Sequence, residues 1–325
     1  MFVVGGESLI DLKAEVTLED GRVTGRDGEG QIVMTAHPGG SPYNCAIALA
    51  KLGNETGFLC PISADAFGDY LMGPLEAAGV TALLEERVPD YTTLAVVNFD
   101  DRHNARYGFY RAADGAIEAR SAIAALPEAL ELYQIGGFCP IVPREAEAWL
   151  EVVDAARAHG ATITIDPNVR PSLVDDFDGY KRRLQLFLDR AHLVKLSEED
   201  IAALAPDATV EDYARRLLDG PECRLVVVTL GDQGSRAFTR SGTASADIHR
   251  PPVFGDTVGA GDSLMAGIIT WLHDHNRLAP DAMSQLDDTG LADMLRFGAV
   301  VAGINCGRKG CKPPTRAEVD AVLKS

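Results

Sequence analysis

Six cysteines, at positions 45, 60, 139, 223, 306 and 311, form no Cys-x-x-Cys pair and no zinc-type spacing. That excludes a zinc ribbon and a dense disulfide framework, and leaves reduced, mostly buried thiols as the expected state. No apolar run approaches the ~20 residues of a membrane span. Met1 leads directly into Phe2-Val3-Val4-Gly5-Gly6, with no basic start and no long apolar segment behind it. Neither a membrane protein nor a secretory leader is expected, and the expected location is cytoplasmic. Positive charge is scarce: 30 Lys and Arg stand against 48 Asp and Glu, a formal net charge of -18. Such a surface repels nucleic acid and anionic membranes. No G-x-x-x-x-G-K-[ST] occurs, and no G-x-G-x-x-G follows a strand, so a P-loop and a dinucleotide fold are both unsupported. Any phosphate site must be built locally, from backbone amides and a few basic side chains.

What is present is an ordinary globular composition, 46% apolar and 24% charged over 325 residues. It suffices for one large α/β domain, or for such a domain with an appendage. Residues 132–136, 161–165, 192–196 and 225–229 read as buried strands. Helical patterns over 144–159, 179–188 and 211–218 alternate with them, and another covers 291–305. Repeated strand–helix units predict a parallel sheet covered on both faces. Two stretches break this rhythm. Residues 12–37 are polar, Gly-rich and alternating, and residues 88–111 read as a hairpin with a polar tip at 100–104. Together they predict a small sheet, or simply a pair of surface loops.

The chemistry concentrates in Gly255-Asp256-Thr257-Val258-Gly259-Ala260-Gly261-Asp262-Ser263. A tight turn here feeds an apolar helix whose first N–H groups lack intrahelical partners, which makes an anion site. Asp262 lies beside the place a phosphate would take. A carboxylate there either caps its helix or accepts the proton of a hydroxyl attacking phosphorus. This run resembles the signature of the ribokinase-like (PfkB) carbohydrate kinases, as does Pro38-Gly39-Gly40-Ser41-Pro42-Tyr43-Asn44-Cys45-Ala46 near the N-terminus. The likeness runs from Gly6 to about Glu318. It implies a ribokinase-like α/β fold over 1–325 with a small β-sheet lid, often a homodimer contact, and an ATP- and Mg²⁺-dependent kinase. It also implies Asp262 as base, with an anion hole of the Gly259, Ala260 and Gly261 amides.

Further candidates follow the chain. Glu7 and Asp11 stand at the carboxyl end of the first strand, where ligands bind in open α/β sheets, or are merely solvated loop acids. Gly6-Glu7-x-x-x-Asp11 is similar to the start of fructokinases, which implies that Asp11 holds the sugar. Gly39 and Gly40 allow close approach of backbone, Ser41-Pro42 reads as a helix cap with proline first, and Asn44 offers a donor and an acceptor to a sugar hydroxyl. Arg111 is a candidate clamp or a plain surface arginine. Asn168 and Arg170, in Asp166-Pro-Asn-Val-Arg170, follow a strand and are candidate contacts to substrate or transferring phosphate. Lys195 either faces nucleotide phosphates or is solvated at a strand end. Ser197-x-x-Asp200 occupies the family's N-x-x-E metal position, with Asp200 the candidate Mg²⁺ contact, but equally spells a capping box. Thr229, Gly231 and Gly234 resemble the nucleotide-binding turn, and a generic turn is the alternative. Asn305 opens a loop that the resemblance places near adenine and sometimes K⁺, for which Asp256 is a candidate ligand. Thr315-x-x-Glu318 is a capping box for the last helix.

These readings favour a fructokinase. The rivals are a 2-keto-3-deoxygluconate kinase, in which Arg111 and Arg170 would meet the substrate's carboxylate, a nucleoside kinase, and a non-catalytic sugar- or nucleotide-binding regulator.

Overall fold

The computed structural model describes residues 1–14, 18–19, 22–23, 33–99 and 105–324. Among them a nine-stranded sheet runs in the spatial order Thr243–Ala246, Ser235–Phe238, Leu225–Thr229, Leu193–Ser197, Thr162–Asp166, Leu132–Gly136, Phe2–Gly5, Thr56–Leu59 and Thr81–Ala82. From Leu225–Thr229 onward every pairing is parallel, and the two strands before it add antiparallel. Strand residues alternate between two cores. Val3, Val226 and Val228 join one cluster, while Phe2, Val4, Leu225 and Val227 join the other. This period of two with both faces apolar is what a sheet buried on both sides requires.

Helices Pro143–Ala158, Phe177–Leu188 and Val210–Leu218 cover one face. Ser41–Lys51, Ala260–Asp274 and Asp288–Cys306 cover the other. The last two cross closely, because an ideal Cβ on Gly267 would lie 2.8 Å from the Cα of Gly298. The helix and strand ranges read from the sequence fall within two or three residues of those observed, the usual fraying of element ends.

A second sheet stands apart, in the order Met34–Gly39, Leu9–Ala14, Leu94–Phe99, Ala105–Tyr110. It is the expected lid, but it begins at Leu9 rather than near residue 12. Pro38 is accommodated because its strand lies at the sheet edge. Leu18–Glu19 and Arg22–Val23 pair separately with each other. The polar tip read at 100–104, and much of 15–32, lie outside the described residues. The lid therefore leaves the main sheet just after strand Phe2–Gly5 and returns just before helix Ser41–Lys51.

Gly267→Ala is expected to lower unfolding stability by about 1–3 kcal/mol, the usual cost of overpacking. Urea denaturation measures it; an unchanged midpoint would mean that the helix crossing is looser than described.

Candidate functional site

Helix Ala260–Asp274 starts from Gly259, whose φ of 73° puts it in the left-handed region that glycine adopts freely. No side chain caps this helix. The capping alternative for Asp262 is therefore not realised. Its carboxylate instead accepts from Ser41 Oγ at 2.6 Å and from Asn44 Nδ2 at 2.9 Å, both at the start of helix Ser41–Lys51. Burial raises the Asp262 carboxyl to about 6, with nearby Asp166 adding to it. The two hydrogen bonds and Lys195 oppose the rise. Ala260 N–H donates to the Thr257 carbonyl, but Gly259, Gly261 and Asp262 N–H have no acceptor among the described residues. Of the three amides expected to form an anion hole, that of Ala260 is thus engaged within the turn, and the Asp262 amide is free beside those of Gly259 and Gly261 among the described residues.

Lys195 is not solvated. It is buried, donates to Asp166 Oδ2 at 2.6 Å, and lies 2.8 Å from where a Cβ on Gly261 would stand. Burial works against its charge, yet Asp166 holds its pKa above the ordinary value. The other oxygen of Asp166, Oδ1, is buried with no partner among the described residues. Asp166 and Lys195 were not read from sequence as a pair; Asp166 ends its parallel strand while Lys195 sits in the middle of the next, and only the sheet order Leu193–Ser197 beside Thr162–Asp166 makes them neighbours.

A cavity of about 690 Å³ opens beside this helix start. Thr229, Gly231 and Gly234 line it at one end, Ala260 and Gly261 at the other. Two further walls were missed by sequence reading: the segment from Asp247 to Phe254, and Gly303 with Cys306 on helix Asp288–Cys306. The 247–254 stretch has no periodicity, so the sequence carried no signal for it.

Several candidates are engaged within the protein. Ser41 is not the cap of its helix; Gly40, with φ 111°, holds that position, and Ser41 turns to Asp262. Glu7 is buried under the same helix start, where Oε1 accepts from Ser41 N–H and Oε2 from Phe138 N–H. Burial pushes it up to about 8. Arg111 bonds Asp114 at 2.6 Å and Glu145 at 2.8 Å, so its charge is taken up within the protein. Ser197 and Asp200 form the capping box, and Asp200 also accepts from Val169 N–H. Asp256 accepts from the amides of Val258 and Gly310. Asn305 is fully buried, donating to Val258 O and accepting from Lys312 N–H. Among the described residues no three His, Cys, Asp or Glu side chains gather as a metal set.

The remaining candidates stay open to a ligand. Asp11, in the lid strand Leu9–Ala14, is partly buried and has no hydrogen-bond donor among the described residues. Its Oδ2 lies 2.6 Å from where a Cβ on Gly39 would stand, so that glycine makes room for the carboxylate. Burial raises its pKa against Lys13 and His37. Asn168 takes φ 43° just past its strand, and Arg170 is exposed, its guanidinium donating to the Val169 carbonyl.

Comparison with known proteins places this geometry. The family described as pfkB family carbohydrate kinase matches residues 2–318. A probable fructokinase-4 of Arabidopsis thaliana is 29% identical over 330 residues, covering 100% of this chain and 97% of the relative. Fructokinase-2 of Solanum lycopersicum is 29% identical over 294 residues, covering 88% and 87%. The crystal structure of a fructokinase with bound ATP from Xylella fastidiosa superposes with a TM-score of 0.84 at 25% identity, over 99% of this chain and 98% of that one.

Glu7 and Asp11 should separate on substitution. Glu7→Ala strands two buried amides and is expected to cost about 2–5 kcal/mol in urea unfolding. Asp11→Asn should change stability by no more than about 0.5 kcal/mol, as at sites without partners, while raising the KM of the acceptor. Equal stability losses would refute the division.

Proposed function

The chain belongs to the pfkB family of carbohydrate kinases, and we propose that within it the protein is a fructokinase, transferring the γ-phosphoryl group of ATP to the 6-hydroxyl of D-fructose. The observation that carries the reading is Asp262: a buried carboxylate, raised to about 6, at a helix start whose Ala260 and Gly261 line the cavity. ATP occupies that cavity, its base toward Gly231 and Gly234 and its phosphates toward Gly261. Asp262 takes the hydroxyl proton as the acceptor oxygen bonds to phosphorus and the bond to ADP breaks. The amides of Gly259, Gly261 and Asp262 stabilise the charge on the transferring group, and Lys195 adds a cation beside Gly261.

The donor set suits a metal ion carried by the nucleotide rather than caged by protein, since the carboxylates of Asp200 and Asp256 already accept backbone amides. Mg²⁺ bound through phosphate and water oxygens would neutralise polyphosphate charge. K⁺ stimulation is read by assay in K⁺ against tetramethylammonium buffer.

The unpaired Asp11 carboxylate suits a neutral polyol, and of the two arginines that could meet an acidic sugar, Arg111 is tied to Asp114 and Glu145 while Arg170 stays exposed. A homodimer through the lid is part of the same proposal. Ala105–Tyr110 is an edge strand with Tyr110 exposed, a template for a second copy. Sedimentation velocity across a concentration series checks it. No helix among the described residues is long and apolar enough to cross a membrane, and a cytoplasmic setting is proposed.

ADP release with ATP-Mg²⁺ is expected with fructose, and not with 2-keto-3-deoxygluconate, adenosine or no acceptor. Turnover on ketodeoxygluconate alone would move the substrate to that acid, and ATP binding with no turnover would favour a regulator. Asp262→Asn should lose at least about 100-fold in kcat while still binding ATP. Because the protonated carboxyl cannot accept a proton, kcat/KM should fall as pH drops through about 6. A flat acid profile would argue against Asp262 as base.

A further inference from the structure

Both oxygens of Asp262 are held from one helix start. Ser41 Oγ donates to Oδ1 at 2.6 Å and Asn44 Nδ2 to Oδ2 at 2.9 Å. Ser41 is itself held from behind. Its N–H donates to Glu7 Oε1 at 3.1 Å, and Glu7 Oε2 accepts from Phe138 N–H at 2.9 Å. Glu7 follows strand Phe2–Gly5, which is paired in parallel on both sides, so this chain of bonds anchors the base to an interior strand of the sheet. All four side chains are buried or nearly so.

We propose that Ser41 is a positioning residue for the base: its hydroxyl, fixed through the Ser41 amide by Glu7, sets the Asp262 carboxylate in the one orientation that meets the acceptor hydroxyl. The inference rests on Asp262 being the base of the proposed kinase. A carboxylate turns readily about its last bond, and misplacing a reacting group by even an ångström is costly in rate. Asn44 alone grips one oxygen and leaves the other free to swing. Ser41 closes the second contact, and a cap role cannot account for it, since Gly40 occupies the cap position and the Ser41 hydroxyl bonds no helix amide. A hydrogen bond donated to the ionised form also favours that form. The other groups facing Asp262 are Asp166 and Lys195 from the sheet, Cys45 from helix Ser41–Lys51, and Cys311 from the loop near Gly259. None of them supplies a donor to Oδ1.

The test compares Ser41→Ala and Ser41→Thr with the unaltered protein. Ser41→Ala should lower kcat about tenfold, leave the KM of ATP within about twofold, and move the acid limb of kcat/KM up by about one pH unit. Ser41→Thr keeps the hydroxyl and should recover most of both. The limb can be read without turnover, by ¹³C NMR titration of the Asp262 carboxyl assigned with Asp262→Asn. Inactivity on fructose would therefore sink the substrate reading while the titration still decides this one. An Asp262 titration unchanged in Ser41→Ala would overturn the inference. So would equal slowing of both variants with the limb unmoved, because that is the signature of lost packing alone.

Discussion

Taking the Asp262 carboxylate out of water is costly unless donors replace the lost hydration, and the layout around it follows from that need. Two helices point their starts at this one group. Helix Ser41–Lys51 offers Ser41 and Asn44, and helix Ala260–Asp274 carries Asp262 in its own first turn. Both dipoles favour negative charge there, while burial and Asp166 oppose it. The balance leaves a carboxyl near 6, ionised at neutral pH yet still a competent proton acceptor. A fully solvated aspartate would be a weaker base, and one buried without donors would stay protonated.

Holding the second helix start still is the next requirement, because amides stabilise a developing charge only if they are in place beforehand. Gly255 to Gly259 is a stretch with little side chain to pack. It is fastened instead to the loop after helix Asp288–Cys306. Asp256 accepts from Val258 and Gly310 amides, and Asn305 bridges Val258 O to Lys312 N–H. The close crossing at Gly267 and Gly298 brings those two helices near enough for the loops to meet. Asp256 and Asn305, candidate ligands in the sequence, thus also hold in place the loop before the helix start.

That distinction marks where sequence stopped being legible. The parallel sheet, the lid and the helix starting at the 255–263 signature were readable, because period and glycine placement are local properties. So was the capping box at Thr315 and Glu318. What the sequence left open was which partner within the protein each polar residue would meet. Glu7 and Asp11 stand four positions apart with the same charge, but the chain turns between them. One folds under a helix start and the other enters the lid. Arg111 looked like a clamp because Asp114 and Glu145, which neutralise it, had no visible connection to it. Lys195 and Asp166 became a pair only through strand order. Partners distant in sequence decide such roles, and no spacing rule encodes them.

The strong acidity of the chain sharpens the same point. A protein with formal net charge -18 must bind a polyanionic nucleotide, and general electrostatics would repel it. Surface charges are screened beyond roughly 8 Å at physiological salt, so the contest is settled locally. Locally the positive potential comes from free amides at Gly259, Gly261 and Asp262, with Lys195 buried beside them. Backbone dipoles add no net charge and cannot be neutralised by a wandering carboxylate. Lys195 is held in place by Asp166, which keeps it charged without surrendering all its donors, as an ammonium has three. In the lid the carboxylate of Asp11 has no donor among the described residues, and Arg111 is already matched by Asp114 and Glu145. Backbone amides on one side and an unmatched acid on the other divide the site by charge: under the proposed function the first would receive phosphate and the second would favour a neutral, hydroxyl-rich partner.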